Sequence, residues 1–222
     1  MHYFIKLKAK TTAYLHTGNK PISVNNMEKS QAIVFVDLSN AWRYYEKLGF
    51  KMVPLTLQLK NGKKVVTNML PWENQSFTSA AIKQCHNAIA IKTGEASQLM
   101  VIDIDKTDTT LYAVLDEYGL NKKDYCCALS PSGGMHIYLD GSHSELWKQR
   151  YQRKNLTTTN KNIGIDIRAE GGLIFAPPST VIGGGNYEWI HYPVNRSDLV
   201  YDPDKLIPLM DAIFEYNNPN PL

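Results

Sequence analysis

The stretch Leu99–Asp108, "LMVIDIDKTD", places two aspartates two positions apart inside a run of apolar residues. The apolar residues have the composition of a strand that is buried on both faces. Because successive side chains of a strand point to opposite faces, Val101, Asp103 and Asp105 share one face. An unpaired charge in a buried strand is costly. The stretch therefore predicts a central strand with a polar site on one side.

Two later stretches repeat this pattern. In "GMHIYL", residues 134–139, His136 and Tyr138 share one face, and in "IGIDIRAE", residues 163–170, Asp166 and Arg168 share one. Each strand then has an apolar back for helices to cover and a front that carries acids, a histidine or an arginine. If the three strands are neighbours in one sheet, their fronts form a single site.

The residue types on this front suit metal-dependent phosphate chemistry. Clustered carboxylates raise one another's pKa, and a divalent cation removes that cost. Asp103, Asp105 and Asp166 offer the hard oxygen ligands that suit Mg²⁺ or Mn²⁺. Two such ions about 3.5–4 Å apart would clamp the attacking and leaving oxygens of a phosphoryl displacement.

Donors for a triphosphate accompany these acids. His136 and Arg168 share the front, and the turn before His136 offers backbone N–H groups that glycine leaves open to a phosphate. The expected nucleotide-binding residues are therefore Ser132, Gly133, Gly134, His136 and Arg168.

Simpler readings exist for each motif alone. An Asp-x-Asp pair also caps turns or binds one structural ion, and a strand histidine is more often structural. The "IDIR" stretch alone could be an internal ion pair. The occurrence of all three acids within or at the end of apolar strands favours the functional interpretation.

The bulk composition sets limits on the class of protein. The chain of 222 residues is 43% apolar with a net charge of +3, which allows one domain and permits a nucleic-acid partner without arguing for one. No apolar run of about 18 residues and no signal-peptide pattern is present, so we expect a cytoplasmic or nuclear protein, neither secreted nor membrane-bound. Cys85, Cys126 and Cys127 have no zinc-site spacing and are expected in the core.

The rest of the chain has the patterns of short helices and strands. Helices are expected at residues 30–50, ending near Gly49, at 76–87 and at 108–119. Strands are expected on either side of four turns, at Asn61-Gly62, Thr93-Gly94, Ser130–Gly134 and Gly171-Gly172. The polar tail, residues 215–222, is typical of a linker or the end of a domain cut from a longer protein.

A basic loop lies between the second and third motifs, with Tyr151 among its cations, Lys148, Arg150, Arg153, Lys154 and Lys161. Such a loop can grip a template backbone, with the tyrosine available to stack on a base. An ordinary solvated loop has the same composition. The sequence supports the two interpretations equally.

In order, "TGEASQLMVIDID", "SPSGGMHIYL" and "IDIRAEGGLIFAPPS" resemble the three motifs of the primase–polymerase (prim-pol) domain of the archaeo-eukaryotic primase superfamily. The resemblance is to the branch found on plasmids, phages and large DNA viruses, often fused to a helicase. It extends upstream to "AWRYYEKLGFKMVPL" and covers about residues 40–190. It implies an α+β fold, in which a catalytic core with an RNA-recognition-motif-like sheet packs with an N-terminal αβ module. We expect one catalytic domain over residues 1–222, with the module at about 30–95 and the motifs at 99–180.

The resemblance also implies roles for individual residues. Asp103 and Asp105 match the first-motif acids that bind the catalytic metals, and Asp166 matches the third-motif acid. His136 matches the second-motif histidine, which contacts the phosphates of the incoming nucleotide. Many relatives have Ser-x-His at this place, whereas this chain has glycine at Gly134, which leaves open the source of the missing hydroxyl contact.

These features together predict a DNA primase with primer-extending polymerase activity. It would use Mg²⁺ or Mn²⁺ to join nucleoside triphosphates to a primer end, or to a first nucleotide, on a single-stranded DNA template. A C-terminal helicase domain or partner is expected from the branch. Two alternatives use the same residues differently, a metal-dependent nuclease and a template-recruiting module of a primase-helicase. Ribonucleotide and deoxyribonucleotide substrates stay equally open.

Overall fold

The structure, a computed structural model, describes residues 37–105, 116–120, 124–143, 158–160 and 164–217. Its helices are α1 (Leu38–Lys47) and α2 (Pro203–Asn217), with short 3-10 turns at Ser79–Ala81 and Arg196–Asp198. Its strands are β1 (Met52–Lys60), β2 (Lys63–Thr67), β3 (Ala88–Lys92), β4 (Leu99–Ile104), β5 (Cys126–Leu129), β6 (Met135–Asp140), β7 (Thr158–Asn160), β8 (Ile165–Arg168), β9 (Leu173–Ala176), β10 (Val181–Ile182) and β11 (Glu188–His191).

The strands form two sheets. The first has the order β10-β1-β3-β9, with β2 also paired to β1, and the second has the order β11-β5-β6-β4-β8-β7. Neighbouring strands are antiparallel, except that β10 runs parallel to β1. The chain crosses to the second sheet after β3 and returns to the first after β8. This arrangement of two sheets with few helices confirms the α+β class expected from the sequence.

Helix α1 starts and stops where local chemistry predicts. The Asp37 side chain caps it by accepting a hydrogen bond from the Asn40 N–H at 2.8 Å, which satisfies one free donor of the first turn. Gly49 follows with a φ of +80°, a left-handed conformation that suits glycine at a helix end. Trp42 and Tyr45 lie on the buried face. The expected helix is confirmed over these residues, while residues 30–36 lie outside the described part.

The hairpin predicted at Asn61-Gly62 joins β1 to β2. Both turn residues have positive φ, +51° and +71°, as the two-residue turn that matches strand twist requires. Leu59 pairs with Lys64 across the hairpin. The strands predicted around the other three turns are present as well.

Two expectations about helices differ from the structure. At residues 76–87 only the three-residue turn Ser79–Ala81 forms, and none of its residues is buried. Phe77 and Ile82 pack against the core from either side of the turn, so the segment has no continuous buried helical face that would stabilise a longer helix. Helix α2 was not expected, although Asp202 before Pro203 and the spacing of Leu206 and Leu209 are helix signals. Most of the helix expected at 108–119 lies outside the described residues, and α2 overlaps the start of the polar tail.

Two layers of core cover the two faces of the second sheet. On one face, Ile102, Ile137 and Ile167 pack with Leu206 and Met210 of α2. The other face is apolar at one end only, where Val101 and Tyr138 pack with Trp42 and Tyr45. The polar end of this second face is the surface on which the motif residues meet.

Two of the three cysteines lie in the core. Cys126 and Cys127 are buried as expected, whereas Cys85 is exposed, because the segment that carries it folds as a turn on the surface. Among the helices of the described residues, none is long and apolar enough to cross a bilayer.

Candidate active site

Asp103 lies at the centre of the second sheet, between the other two motif strands. It is directly opposite His136 on β6 and directly opposite Asp166 on β8. Val101, two residues earlier, stands between Tyr138 and Arg168 in the same way. Since residues paired directly across strands share a face, the three fronts form one surface. The sequence predicted this juxtaposition from strand alternation.

The side chains on this surface are connected by short contacts. His136 Nε2 lies 3.3 Å from Asp103 Oδ1. Arg168 Nη2 lies 2.6 Å from Asp166 Oδ2 and 3.4 Å from Asp103 Oδ2. The internal Asp–Arg pair considered for "IDIR" therefore forms, and it forms as part of a larger cluster.

The cluster is largely shielded from water. The side chains of His136 and Asp166 are 4% and 7% exposed, and that of Asp103 is 17% exposed. Burial alone would raise the pKa of Asp103, but the hydrogen bond and charge of His136, with the charges of Arg168 and Lys64, hold this pKa below its usual value. Asp103 is therefore ionised at neutral pH.

Asp105 stands apart from these contacts. It follows the last residue of β4 and is exposed, and its backbone N–H donates to the Gly164 carbonyl oxygen at 2.9 Å. Within the described residues, its side chain takes part in no ion pair or hydrogen bond. The structure thus brings Asp103, Asp166 and His136 into one cluster, with Asp105 at its open rim.

The turn of the second motif lies against the end of β4. A Cβ added to Gly134 would stand 2.3 Å from the Ile104 carbonyl oxygen and 3.0 Å from that of Asp105, so only glycine allows this approach. Within the turn, the Gly133 N–H donates to the Ser130 carbonyl oxygen and the Gly134 N–H donates to Ser130 Oγ, both at 3.0 Å. Both N–H groups therefore shape the turn and are not free for a ligand. Ser130 Oγ also lies 3.1 Å from Ser132 Oγ.

Sequence reasoning missed two residues beside the cluster. The ring of Tyr187 lies 5.5 Å from that of His136, and Lys64 Nζ donates to Tyr187 Oη at 2.6 Å. Both residues come from outside the motifs, and no spacing in the sequence connects them to Asp103. The basic loop with Lys148, Arg150, Tyr151, Arg153, Lys154 and Lys161 lies outside the described residues.

The fit of a metal ion can be judged from the carboxylates. In the described part of the chain, no group of three or more His, Cys, Asp and Glu side chains is arranged to hold one. Instead, Arg168 supplies the positive charge between Asp103 and Asp166. The two carboxylates that converge on Arg168 Nη2 have the hard oxygen donors that a divalent cation prefers, whereas Asp105 does not join them in this arrangement.

Comparison with known families places the chain. Residues 41–206, most of its length, match the family model described as bifunctional DNA primase/polymerase, N-terminal. The chain therefore belongs to this family, which confirms the prediction made from the three motifs. The family is one of nucleotidyltransferase-type enzymes that prime and synthesise DNA, with DNA and nucleotides as substrates. The comparison with curated proteins gave no match.

Proposed function

We propose that this domain is a metal-dependent nucleotidyltransferase that starts and extends DNA chains on a single-stranded DNA template. The observation that supports it most is the register that sets Asp103 between His136 and Asp166 on one face of the sheet. A cluster of this composition, in a family of DNA primases and polymerases, suits the transfer of a nucleotide from a triphosphate.

Asp103, Asp105 and Asp166 would hold Mg²⁺ or Mn²⁺. When bound, such ions supply activation of the attacking hydroxyl and neutralise charge on the phosphates. Asp103 and Asp166 are fixed by the hydrogen-bonded backbone of β4 and β8. Because its pKa is lowered, Asp103 needs to lose no proton at neutral pH before it accepts a cation.

His136 and Arg168 would contact the triphosphate. His136 Nδ1 is buried and has no hydrogen-bond partner among the described residues, and a buried polar atom without a partner costs free energy. A phosphate oxygen at this atom would remove that cost. Arg168 would release Asp103 and Asp166 and turn its guanidinium towards the phosphates. The orienting contact from Asp103 to His136 Nε2 fixes the ring for this role.

The partners of this domain would be a DNA template with its primer and a helicase. The template and primer would lie along the second sheet, with the loop around Tyr151 as a contact for the template backbone. A helicase domain or partner would follow the C-terminal side, as in the branch that the motifs resemble. The location would be the cytoplasm or nucleus where replication occurs.

The test is synthesis on single-stranded DNA without a primer, with labelled nucleotides and Mg²⁺ or Mn²⁺. The variants are Asp103→Asn and Asp105→Asn, and the matched control is Asp204→Asn, an exposed carboxylate on α2 behind the sheet. We expect the wild type to make new oligonucleotides. The rate of their synthesis should fall by about 10³-fold or more in the two site variants and should be unchanged in the control.

Other outcomes have distinct meanings. Product only with a primed template would define a polymerase that extends but does not initiate. Nucleotide-independent shortening of the DNA would favour the nuclease alternative. Full synthesis by folded Asp103→Asn protein would overturn the proposed roles of the acids, and template binding without synthesis would favour the recruiting module.

A further inference from the structure

Lys64 reaches the catalytic surface from the first sheet. It lies on β2, one residue after Lys63, and pairs with Leu59 of β1. Because strand side chains alternate, Lys63 and Lys64 point to opposite faces of the hairpin. The face of Lys64 also carries Leu57, which packs in one cluster with Tyr187. Only one of the two lysines is therefore directed towards the site.

The Lys64 ammonium group is held by aromatic side chains and not by a carboxylate. Nζ donates to Tyr187 Oη at 2.6 Å, and it lies 5.0 Å from the ring centroid of Phe175 and 5.4 Å from that of Tyr187. No carboxylate of the described residues lies within 4.0 Å of it. The ammonium is thus positioned by two cation–π contacts and one hydrogen bond, and it has further N–H donors available for a ligand.

The charges around Lys64 are those of the catalytic cluster. Burial lowers the pKa of Lys64, while the negative charges of Asp103 and Asp105 act in the opposite direction. Tyr187 also responds to Asp103, because burial and that charge together raise the pKa of its hydroxyl. The Tyr187 hydroxyl therefore keeps its proton and can donate a hydrogen bond of its own. The two side chains present a cation and a neutral O–H donor together.

We propose that Lys64 and Tyr187 bind the phosphate groups of the incoming nucleoside triphosphate, so that the first sheet supplies part of the nucleotide site. This inference rests on the proposed function. A phosphate group carries the charge and the acceptor oxygens that an ammonium and a phenol together recognise. Tyr187 also contacts the ring of His136, so one phosphate chain can reach all three groups.

A purely structural role would make a different prediction. If Lys64 only covered Phe175 and Tyr187 with its aliphatic stem, Lys64→Met would preserve that packing and leave the affinity for the nucleotide unchanged. If its charge binds phosphate, the same change would weaken the binding of the nucleotide and leave the fold intact. Lys63→Met is the matched control, since it removes an equal charge from the same strand on the other face.

The experiment measures primer extension by the full chain as the nucleotide concentration is varied. For Lys64→Met we expect KM for the nucleotide to rise about tenfold or more, because a charge-assisted hydrogen bond is lost, with kcat changed less. Lys64→Arg should recover part of the affinity, and Lys63→Met should match the wild type.

Binding of inorganic pyrophosphate, measured by calorimetry, should be weaker for Lys64→Met than for the wild type. Thermal unfolding checks that the variants are folded.

Each result separates this inference from the proposed function. An unchanged KM in Lys64→Met overturns the inference while synthesis by the wild type sustains the proposed function. A loss of affinity for primed DNA with an unchanged KM also overturns it, because the lysine would then serve the DNA backbone. If the wild type binds pyrophosphate but makes no product, the proposed function fails, and weaker binding by Lys64→Met still supports the phosphate site. If the wild type neither binds pyrophosphate nor makes product, both the inference and the proposed function are overturned.

Discussion

Gly134 lies so close to β4 that a Cβ added to it would stand 2.3 Å from the carbonyl oxygen of Ile104. Real Cβ atoms do not approach a backbone oxygen so closely, so glycine is required for the turn to touch the strand. The turn carries the segment that leads into His136, and the strand carries Asp103. One glycine therefore controls the distance between the first and second motifs.

Gly134→Ala should separate these two segments. We expect a loss of about 1–3 kcal/mol in the free energy of unfolding, as for other overpacked sites, and a fall in activity larger than that loss would cause. Urea unfolding and nucleotide incorporation measure the two effects. Gly185→Ala is the control, since its Cβ would meet only Pro131 at an ordinary 3.5 Å. Equal behaviour of the two variants would contradict the prediction.

Arg168 supplies the positive charge between Asp103 and Asp166. Arg168→Ala removes the positive charge that separates the carboxylates of Asp103 and Asp166. We expect the free energy of unfolding to fall by about 1–3 kcal/mol, which lies between the effects of breaking exposed and buried salt bridges. Because the guanidinium competes for the same oxygens, Mn²⁺ should raise the Tm of Arg168→Ala more than that of the wild type. Thermal unfolding with and without Mn²⁺ measures this.

The exposed Arg43 on α1 provides the control for that experiment, because among the described residues it hydrogen-bonds only to Asn40 and forms no ion pair with Asp103 or Asp166. Arg43→Ala should respond to Mn²⁺ as the wild type does. A Tm shift in Arg168→Ala no larger than in the wild type would show that the guanidinium and the ion do not compete.

Tyr45 ties α1 to the strands through its hydroxyl. It donates to the Pro177 carbonyl oxygen and accepts from Trp189 Nε1 at 3.1 Å in a fully buried setting. Tyr45→Phe leaves both partners unsatisfied, so we expect a cost of about 2–4 kcal/mol, or a fall in Tm of roughly 4–16 °C. Tyr44→Phe, at a half-buried position, should cost less. Calorimetry of the two variants tests this order.

The three cysteines should differ in reactivity. Burial raises the pKa of the Cys126 thiol to about 12, so at pH 8 only about one molecule in 10⁴ carries the thiolate that reacts. Cys127 is buried as well, whereas Cys85 is exposed. A thiol reagent should therefore modify one cysteine in the native protein and three in denaturant, and none in native Cys85→Ser. Fast reaction of a second thiol would contradict the burial.

The sequence was sufficient for the three motif strands of the second sheet, β4, β6 and β8, because their signals are local, whereas β7 and β11 of that sheet were not predicted. Alternation in "LMVIDID" and "IDIR" assigned Asp103, Asp166 and Arg168 to one face without knowledge of the pairing. Their order along the chain then identified the family. For the same reason the Asn61-Gly62 hairpin was predictable, since two residues with positive φ specify it.

Other features depend on contacts between distant residues. Lys64 and Tyr187 meet although 123 residues separate them, and neither belongs to a motif. The short turn at Ser79–Ala81 had helix-forming residues, but it lacks a buried face. Arg168 was expected to serve a ligand, whereas the structure shows it against Asp103 and Asp166. An arginine near acids has both options, and a strand pattern does not choose between them.

The return of the chain from β8 to β9 has a consequence for engineering. Strand β9 pairs with β3, and β10 pairs with β1, so the first sheet is completed only after the last catalytic strand has been made. During synthesis the first sheet therefore stays incomplete until residues 173–182 have left the ribosome. The second sheet is completed later still, by β11. A chimera in which the N-terminal segment is replaced by that of a relative would fold only if β9 and β10 were taken from the same relative.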